Sequence, residues 1–319
     1  MKMNFQTCFV AIRHNSTKKG NHFRTAKVIL IIMYAIYKKE LKNYFINMTG
    51  YIFIAFMLAI TGIFTTIINL MSSYPTFETV LSNITIVFLL IVPILTMRSI
   101  AEERHSKTDQ LLYSLPVSVT QIVLAKYLAM FTVFLIPTAI IATYPLILSI
   151  FGTVYFGTAY SSVLGFTLLG GTLLAVGMFM SALTESQVIA AVSSFGVIFA
   201  MYLMSTIASL VPSGAMASLV CFIIVLAIFA LIIYNLTKNA TVAGITGAAG
   251  AFVLAGIYFI DSSVYDGLFA TVLRWLSVFD RFSSFTNGLF DLTSVVYYLS
   301  LIVLFVFLTV QSVEKRRWS

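Results

Sequence analysis

A chain of 319 residues that is 60% hydrophobic and 9% charged, with 28 Phe and 16 Tyr, has too few charges to cover a water-soluble particle. Composition therefore excludes soluble enzymes, nucleic-acid-binding domains and disulfide scaffolds, and marks an all-α polytopic membrane protein. The net charge of +8 has to be tested against membrane orientation before any polyanion partner is invoked.

Residues 1–32 mix Lys, Arg, His, Asn and Ser without periodicity, and read as a basic N-terminal extension. An over-extended start and a disordered basic arm are both open, the first being preferred. The apolar run Val28–Tyr37 is followed by Lys38, Lys39 and Glu40 rather than by a small-residue cleavage site, so no cleaved secretion signal is expected. Residues 33–50 form an amphipathic segment, with Tyr37, Leu41, Tyr44, Phe45 and Met48 at helical spacing and Lys38, Lys39, Lys42 and Asn43 opposite. Such a helix lies in the headgroup layer, held by anionic lipid or touching a partner protein.

The transmembrane domain, 51–313, holds eight charge-poor windows of about 20 residues: 51–71, 80–97, 127–150, 163–184, 187–211, 215–236, 241–260 and 293–313. Eight spans put both termini on one side, and the basic residues agree. Of the 19 Lys and Arg, 17 fall on the face shared by the ends, including the tail 314–319, and only Arg274 and Arg281 fall opposite. Positive residues accumulate on the cytoplasmic side, so both termini are expected there and no nucleic acid is needed to explain the charge.

No window contains Asp, Glu, Arg or His, and Lys126, at the start of the third, is the one charge that approaches the hydrocarbon. Ion-coupled carriers and intramembrane zinc proteases commonly place titratable groups at the midplane, which disfavours both. Sodium held by backbone carbonyls keeps a carrier open as an alternative, beside a non-transport scaffold. Cys8 and Cys221 lie on the basic arm and in an apolar window, so no disulfide is expected. Small residues one turn apart, Gly177 with Ser181, Gly196 with Ala200, and Gly247, Ala251 and Ala255, favour packing within the chain over a dimer face. Pro93, Pro137 and Pro145 predict kinks.

The interior loop 98–121 mixes Arg98, Glu102, Glu103, Arg104, Lys107 and Asp109 with Ile100, Leu111 and Leu112, and Pro116 stops its helix. It reads either as a solvated loop with ion pairs such as Arg98 with Glu102, or as short helices that dock another protein. The segment 261–292 on the far side carries Leu268, Phe269, Val272, Leu273 and Leu276 at helical period, and Ser263 with Asp266 at capping-box spacing. It reads as one or two short helices lying on or dipping into the membrane, either a gate or a plain surface cap.

Three stretches together resemble the ABC-2 type transporter permeases, and within them the gliding-motility or nitrous-oxide-operon type. The first is the opening MYAIYKKELKNYF from Met33. The second is the loop, with Met97-Arg98, Ala101 to Arg104, Thr108-Asp109-Gln110-Leu111-Leu112, Pro116-Val117 and Lys126. The third is the end, DLTSVVYYLS from Asp291 and Glu314 to Trp318. Lys107 and Ala125 stand where that family often has Gly. The resemblance implies a six-helix core with extra spans in a bacterial inner membrane, acting as an exporter. It implies pairing with a second permease copy or paralogue and with a separate ABC ATPase subunit that supplies ATP hydrolysis. It also implies that the loop is the coupling helix, with Arg98, Glu102, Glu103, Arg104, Thr108, Leu111, Leu112 and Pro116 at the ATPase contact, and that Tyr37, Lys38, Lys39, Leu41, Lys42 and Phe45 belong to an interfacial helix. The chain has no GxxxxGK[ST] phosphate loop, so no catalytic, metal or cofactor residue is assigned to it.

Overall fold

The computed structural model describes residues 22–72, 76–108, 118–212, 214–237, 240–260, 262–288 and 290–317, and contains no strand among them. In lipid a backbone must satisfy its own polar groups, and the helix does so within one segment. The helices are α1 (His22–Ile46), α2 (Thr49–Thr65), α3 (Phe77–Ile84), α4 (Phe88–Thr96), α5 (Ala101–His105), α6 (Val119–Ile141) and α7 (Tyr144–Leu148). They continue with α8 (Phe156–Leu183), α9 (Gln187–Leu210), α10 (Ala215–Thr237), α11 (Ala240–Ile260), α12 (Leu268–Leu276), α13 (Phe282–Thr286) and α14 (Leu292–Arg317). A π-helical turn, Thr66–Met71, ends α2, and a 3-10 turn, Thr85–Val87, joins α3 to α4.

Among the described residues six stretches are long and apolar enough to cross a membrane: Thr49–Met71, Phe77–His105, Val119–Leu148, Phe156–Leu183, Gln187–Leu210 and Leu292–Arg316. The other two expected windows are the helices α10 and α11, which pack on each other, on the turn Ser262–Tyr265 and, through α10, on α12. Their described apolar stretches, Ala215–Leu231 and Gly247–Gly256, are shorter than a span.

Several boundaries differ from the sequence reading. The first helix begins at His22, well before Met33, and ends at Ile46; Met48 then takes a left-handed conformation (φ 58°) and is exposed rather than on the apolar face. The third span begins at Val119, where Ser118 and Gln121 form a reciprocal capping box. Lys126 therefore lies about two turns inside the helix. Pro137 stays inside α6, whereas Pro145 sits in the first turn of α7 after the helix is interrupted at Ala142–Thr143. Ser263 falls in a 3-10 turn and Asp266 just after it, and Gly267, with φ 66°, leads into α12. Asp291 caps α14, its Oδ1 accepting from the Thr293 N–H at 3.0 Å and its Oδ2 from the Ser294 hydroxyl at 2.8 Å. Those bonds hold the exposed carboxyl below its ordinary pKa.

Helix α8 is the most enclosed of the six candidates and touches α3, α4, α6, α9, α13 and α14. Apolar burial gives little drive inside lipid, so close approach and interhelical hydrogen bonds carry the packing. Gly165 admits the Phe285 ring of α13, Gly170 the Phe134 ring of α6, and Gly177 the Thr96 side chain of α4. Around Gly170 the rings of Phe88, Phe134 and Phe166 meet with centroids 4.6–6.1 Å apart. Tyr127 donates to the Gly171 carbonyl at 3.0 Å and Ser162 to the Phe285 carbonyl at 3.2 Å. Gly177 and Ser181 thus pack within the chain, while Gly196 and Ala200 are exposed with no neighbour near Gly196.

A Cβ added at Gly165 would lie 2.6 Å from Cγ of the fully buried Phe285. Gly165→Ala should destabilise the fold by about 1–3 kcal/mol, while Gly196→Ala stays within about 0.5 kcal/mol, in thermal or denaturant unfolding of detergent-purified protein.

Candidate functional site

The residues that carry charge into the protein converge at one end of the bundle, where α1, α5 and the first turns of α6 meet. Lys126 reaches this point from α6 with its side chain 4% exposed. Its ammonium lies 2.9 Å from Glu103 on α5 and 3.3 Å from Glu40 on α1, and donates to the Ser99 carbonyl at 3.0 Å. Lys39 adds a weaker, exposed link to the same carboxylates, 3.7 Å from Glu40 and 3.8 Å from Glu103. Two ammoniums thus face two carboxylates, and three chain segments are joined through one buried nitrogen.

A buried charge is tolerated only when paired and hydrogen-bonded, so the cluster fixes the relative position of the three segments more than it adds net stability. Tyr44, one turn beyond Glu40, is buried and donates to the Leu95 carbonyl at 3.4 Å. Burial first, and then the charges of Glu40, Glu102 and Glu103, push its phenol well above the usual tyrosine range, so it stays a donor. Between α1 and α5 these side chains line a polar cleft of about 280 Å³ that also receives Arg98, Glu102 and Thr108.

A second set of bonds ties α5 to α8. Ser181 accepts from the backbone N–H groups of Ile100 and Ala101 at 3.2 and 3.1 Å and donates to the Met97 carbonyl at 3.2 Å. Arg104 is buried and donates to the Ala182 carbonyl, which also accepts from Ser312 on α14 at 3.2 Å. Arg316 on α14 pairs with Glu185 just beyond α8 at 2.7 Å. The five-residue helix α5 is therefore fastened on one side to α1 and α6 and on the other to the end of α8.

The turn that ends α5 explains one departure from the family pattern. Lys107 has φ 56°, with its N–H on the Arg104 carbonyl at 3.1 Å and the Thr108 N–H on the Glu103 carbonyl at 3.0 Å. This is the Schellman arrangement, which ordinarily takes Gly at the left-handed position. Lys107 keeps the geometry at a cost of about 1–2 kcal/mol. Ala125, the other departure, is fully buried and packs with Ile36 and Ile122.

The remaining sequence-derived residues divide as follows. Glu103 and Arg104 spend their charges inside the chain, and Glu102 and Arg98 are half-buried in the cleft wall. The pair Arg98 with Glu102 does not form among the described residues, because α4 ends at Thr96 and α5 starts at Ala101, so no continuous helix sets the two one turn apart. Leu111, Leu112 and Pro116 lie outside the described residues. On α1, Lys38 and Lys42 are exposed, Leu41 and Phe45 pack against the core, and Tyr37 shares a 3.0 Å hydrogen bond with Thr132 of α6. Glu40 was missed by the sequence reading. Its signal was its place at the edge of the apolar stripe, four residues from Ile36 and from Tyr44, facing a Lys126 that needed a counter-ion.

The fold and this end-on cluster define a helical integral membrane protein with a short polar helix held rigidly against its transmembrane core. The model of the family described as ABC-2 family transporter protein matches residues 66–313, and the chain belongs to that family. It is thus a membrane transport component, the permease part of an ABC transporter, and not itself catalytic. No curated protein matches the chain.

Lys126→Met strands two carboxylates and should cost about 3–5 kcal/mol in unfolding of the detergent-purified protein, most of it recovered when Glu40→Gln and Glu103→Gln are added. Lys107→Gly should instead raise stability by about 0.5–1 kcal/mol in the same assay.

Proposed function

We propose that the chain is the transmembrane subunit of an ABC-2 exporter of the gliding-motility or nitrous-oxide-operon type, powered by a separate ATPase. Two permease chains, identical or paralogous, pair with two ATPase subunits, and ATP acts only through those subunits. The end bearing α1 and α5 faces the cytoplasm of a bacterial cell with both termini, as the distribution of Lys and Arg favours. In this reading α10 and α11 complete eight crossings around a six-helix core, and α1 rides at the headgroup layer on anionic lipid through Lys38, Lys39 and Lys42.

The observation that carries the proposal is the double fastening of α5. A helix that only sat in solvent would need neither the Lys126 bridge nor the Ser181 and Arg104 bonds. Closure of the ATPase subunits presses on the loop 98–121, with Glu102 and the apolar Leu111 and Leu112 before Pro116 as the contact. Glu103 and Arg104 pass the displacement to α1, α6 and α8, and through the shared Ala182 carbonyl to α14. The cargo moves along an apolar, aromatic-lined path that suits amphiphiles better than small ions.

Purified alone, the protein should hydrolyse no ATP, and with its ATPase subunit the hydrolysis rate should change on assembly. Leu111→Asp with Leu112→Asp should abolish co-purification. Lys126→Met should leave co-purification intact yet weaken the effect on the ATPase rate by roughly tenfold, about 1.4 kcal/mol of lost coupling. Unchanged association in the double Asp variant would remove the loop from the ATPase contact.

A further inference from the structure

The sequence leaves two basic residues, Arg274 and Arg281, at the end of the bundle opposite the other 17 of its 19 Lys and Arg. The coupling role does not use them. We propose that they form a site for the phosphodiester of an amphiphile in the outer leaflet, which rests on the reading above for the side this end faces.

Both arginines line one open basin of about 260 Å³, together with Trp275, Asp280, Ser283 and Ser284. Arg281 holds its guanidinium over the Tyr297 ring, the central carbon 5.3 Å from the centroid. The ring attracts the cation through its quadrupole and does not use up the five N–H donors of the fork, which can hydrogen-bond an anion. Hydrogen bonds tie the surrounding segment together: Tyr297 donates to the Leu276 carbonyl at 3.2 Å and the Asp280 N–H donates to Ser277 Oγ at 3.2 Å, while Val278 and Phe282, which neighbour the basin residues in sequence, are buried. Among the described residues no ion pair engages either arginine.

Depth and charge select the ligand. Helix α12 buries none of its residues within the chain and exposes Val272, Trp275 and Leu276. An amphipathic helix of this kind lies at the membrane interface, with its Trp at headgroup level, so the anion within reach of Arg274 is a lipid phosphate. Two guanidiniums against the Asp280 carboxylate leave one net positive charge. That matches a monoanionic diester, while the carboxylate repels a free phosphate dianion. Arginine forks bind phosphate oxygens in pairs, which a lone ammonium does not.

Binding of dihexanoyl phosphatidylglycerol to the full chain in neutral detergent, read by titration of Trp fluorescence, tests the proposal. Saturable binding is expected, roughly tenfold tighter than for inorganic phosphate or for the uncharged diacylglycerol of the same chain length, and lost by roughly tenfold in Arg274→Gln with Arg281→Gln. Arg274→Gln alone, on the exposed helix face, should weaken binding without moving the unfolding midpoint, which separates a lost ligand from a lost fold. Unaltered lipid affinity in the double variant, or inorganic phosphate bound as tightly as the lipid, overturns the proposal. These titrations are independent of sidedness. Labelling of Ser283→Cys by a membrane-impermeant thiol reagent on intact cells, beyond that of the parent chain, supports the outer-leaflet placement, and labelling only after lysis overturns it.

Discussion

One buried ammonium sets the arrangement of the bundle end on which the functional reading rests. Lys126 lies two turns inside a helix that otherwise reads as membrane-spanning, and a lone charge there would be expelled or neutralised. It is kept by two carboxylates that come from opposite directions along the chain, Glu40 from before the first span and Glu103 from the end of the second. Because each partner would be stranded without the others, α1, α5 and α6 hold one relative position.

The same end is joined to the middle of the molecule by a different chemistry. Ser181 and the Ala182 carbonyl, at the C-terminal turn of α8, meet backbone and side-chain groups of α5 and α14. From there α8 runs through the core, and its glycines let aromatic rings and the Thr96 side chain approach the backbone directly. Lipid offers no hydrophobic reward for such contacts, so the path of α8 is set by shape and hydrogen bonding. A displacement of α5 would enter a closely packed helix with little free volume to absorb it.

Much of this was legible beforehand. Charge-free windows located the six long apolar helices because crossing a membrane demands about 20 apolar residues, whatever the packing. Gly177 and Ser181 were legible as a close-packing pair, though not that their partner is the start of the loop. The windows for the third and fourth spans start at residues 127 and 163, whereas the helices start at Val119 and Phe156. In the folded protein Lys126 is neutralised by partners distant in sequence, and Ser162 is satisfied by Phe285. On the far side the regular α-helix starts at Leu268 rather than at Ser263, because Gly267 takes a positive φ just before it.

What the sequence determined by itself was the solvent: composition and charge clustering require a helical membrane protein with a basic end, since each residue's transfer cost is a local property. The loop pattern also carried its family, because a run of residue types survives translation into text. Only the tertiary structure decided which charges are available to a partner and which are consumed internally. Glu103 and Arg104 look like exposed loop charges in the sequence, and both turn inward, to Lys126 and to the Ala182 carbonyl. Pairing of that kind depends on where three separate segments meet in space, and hydropathy or spacing along one of them does not encode it.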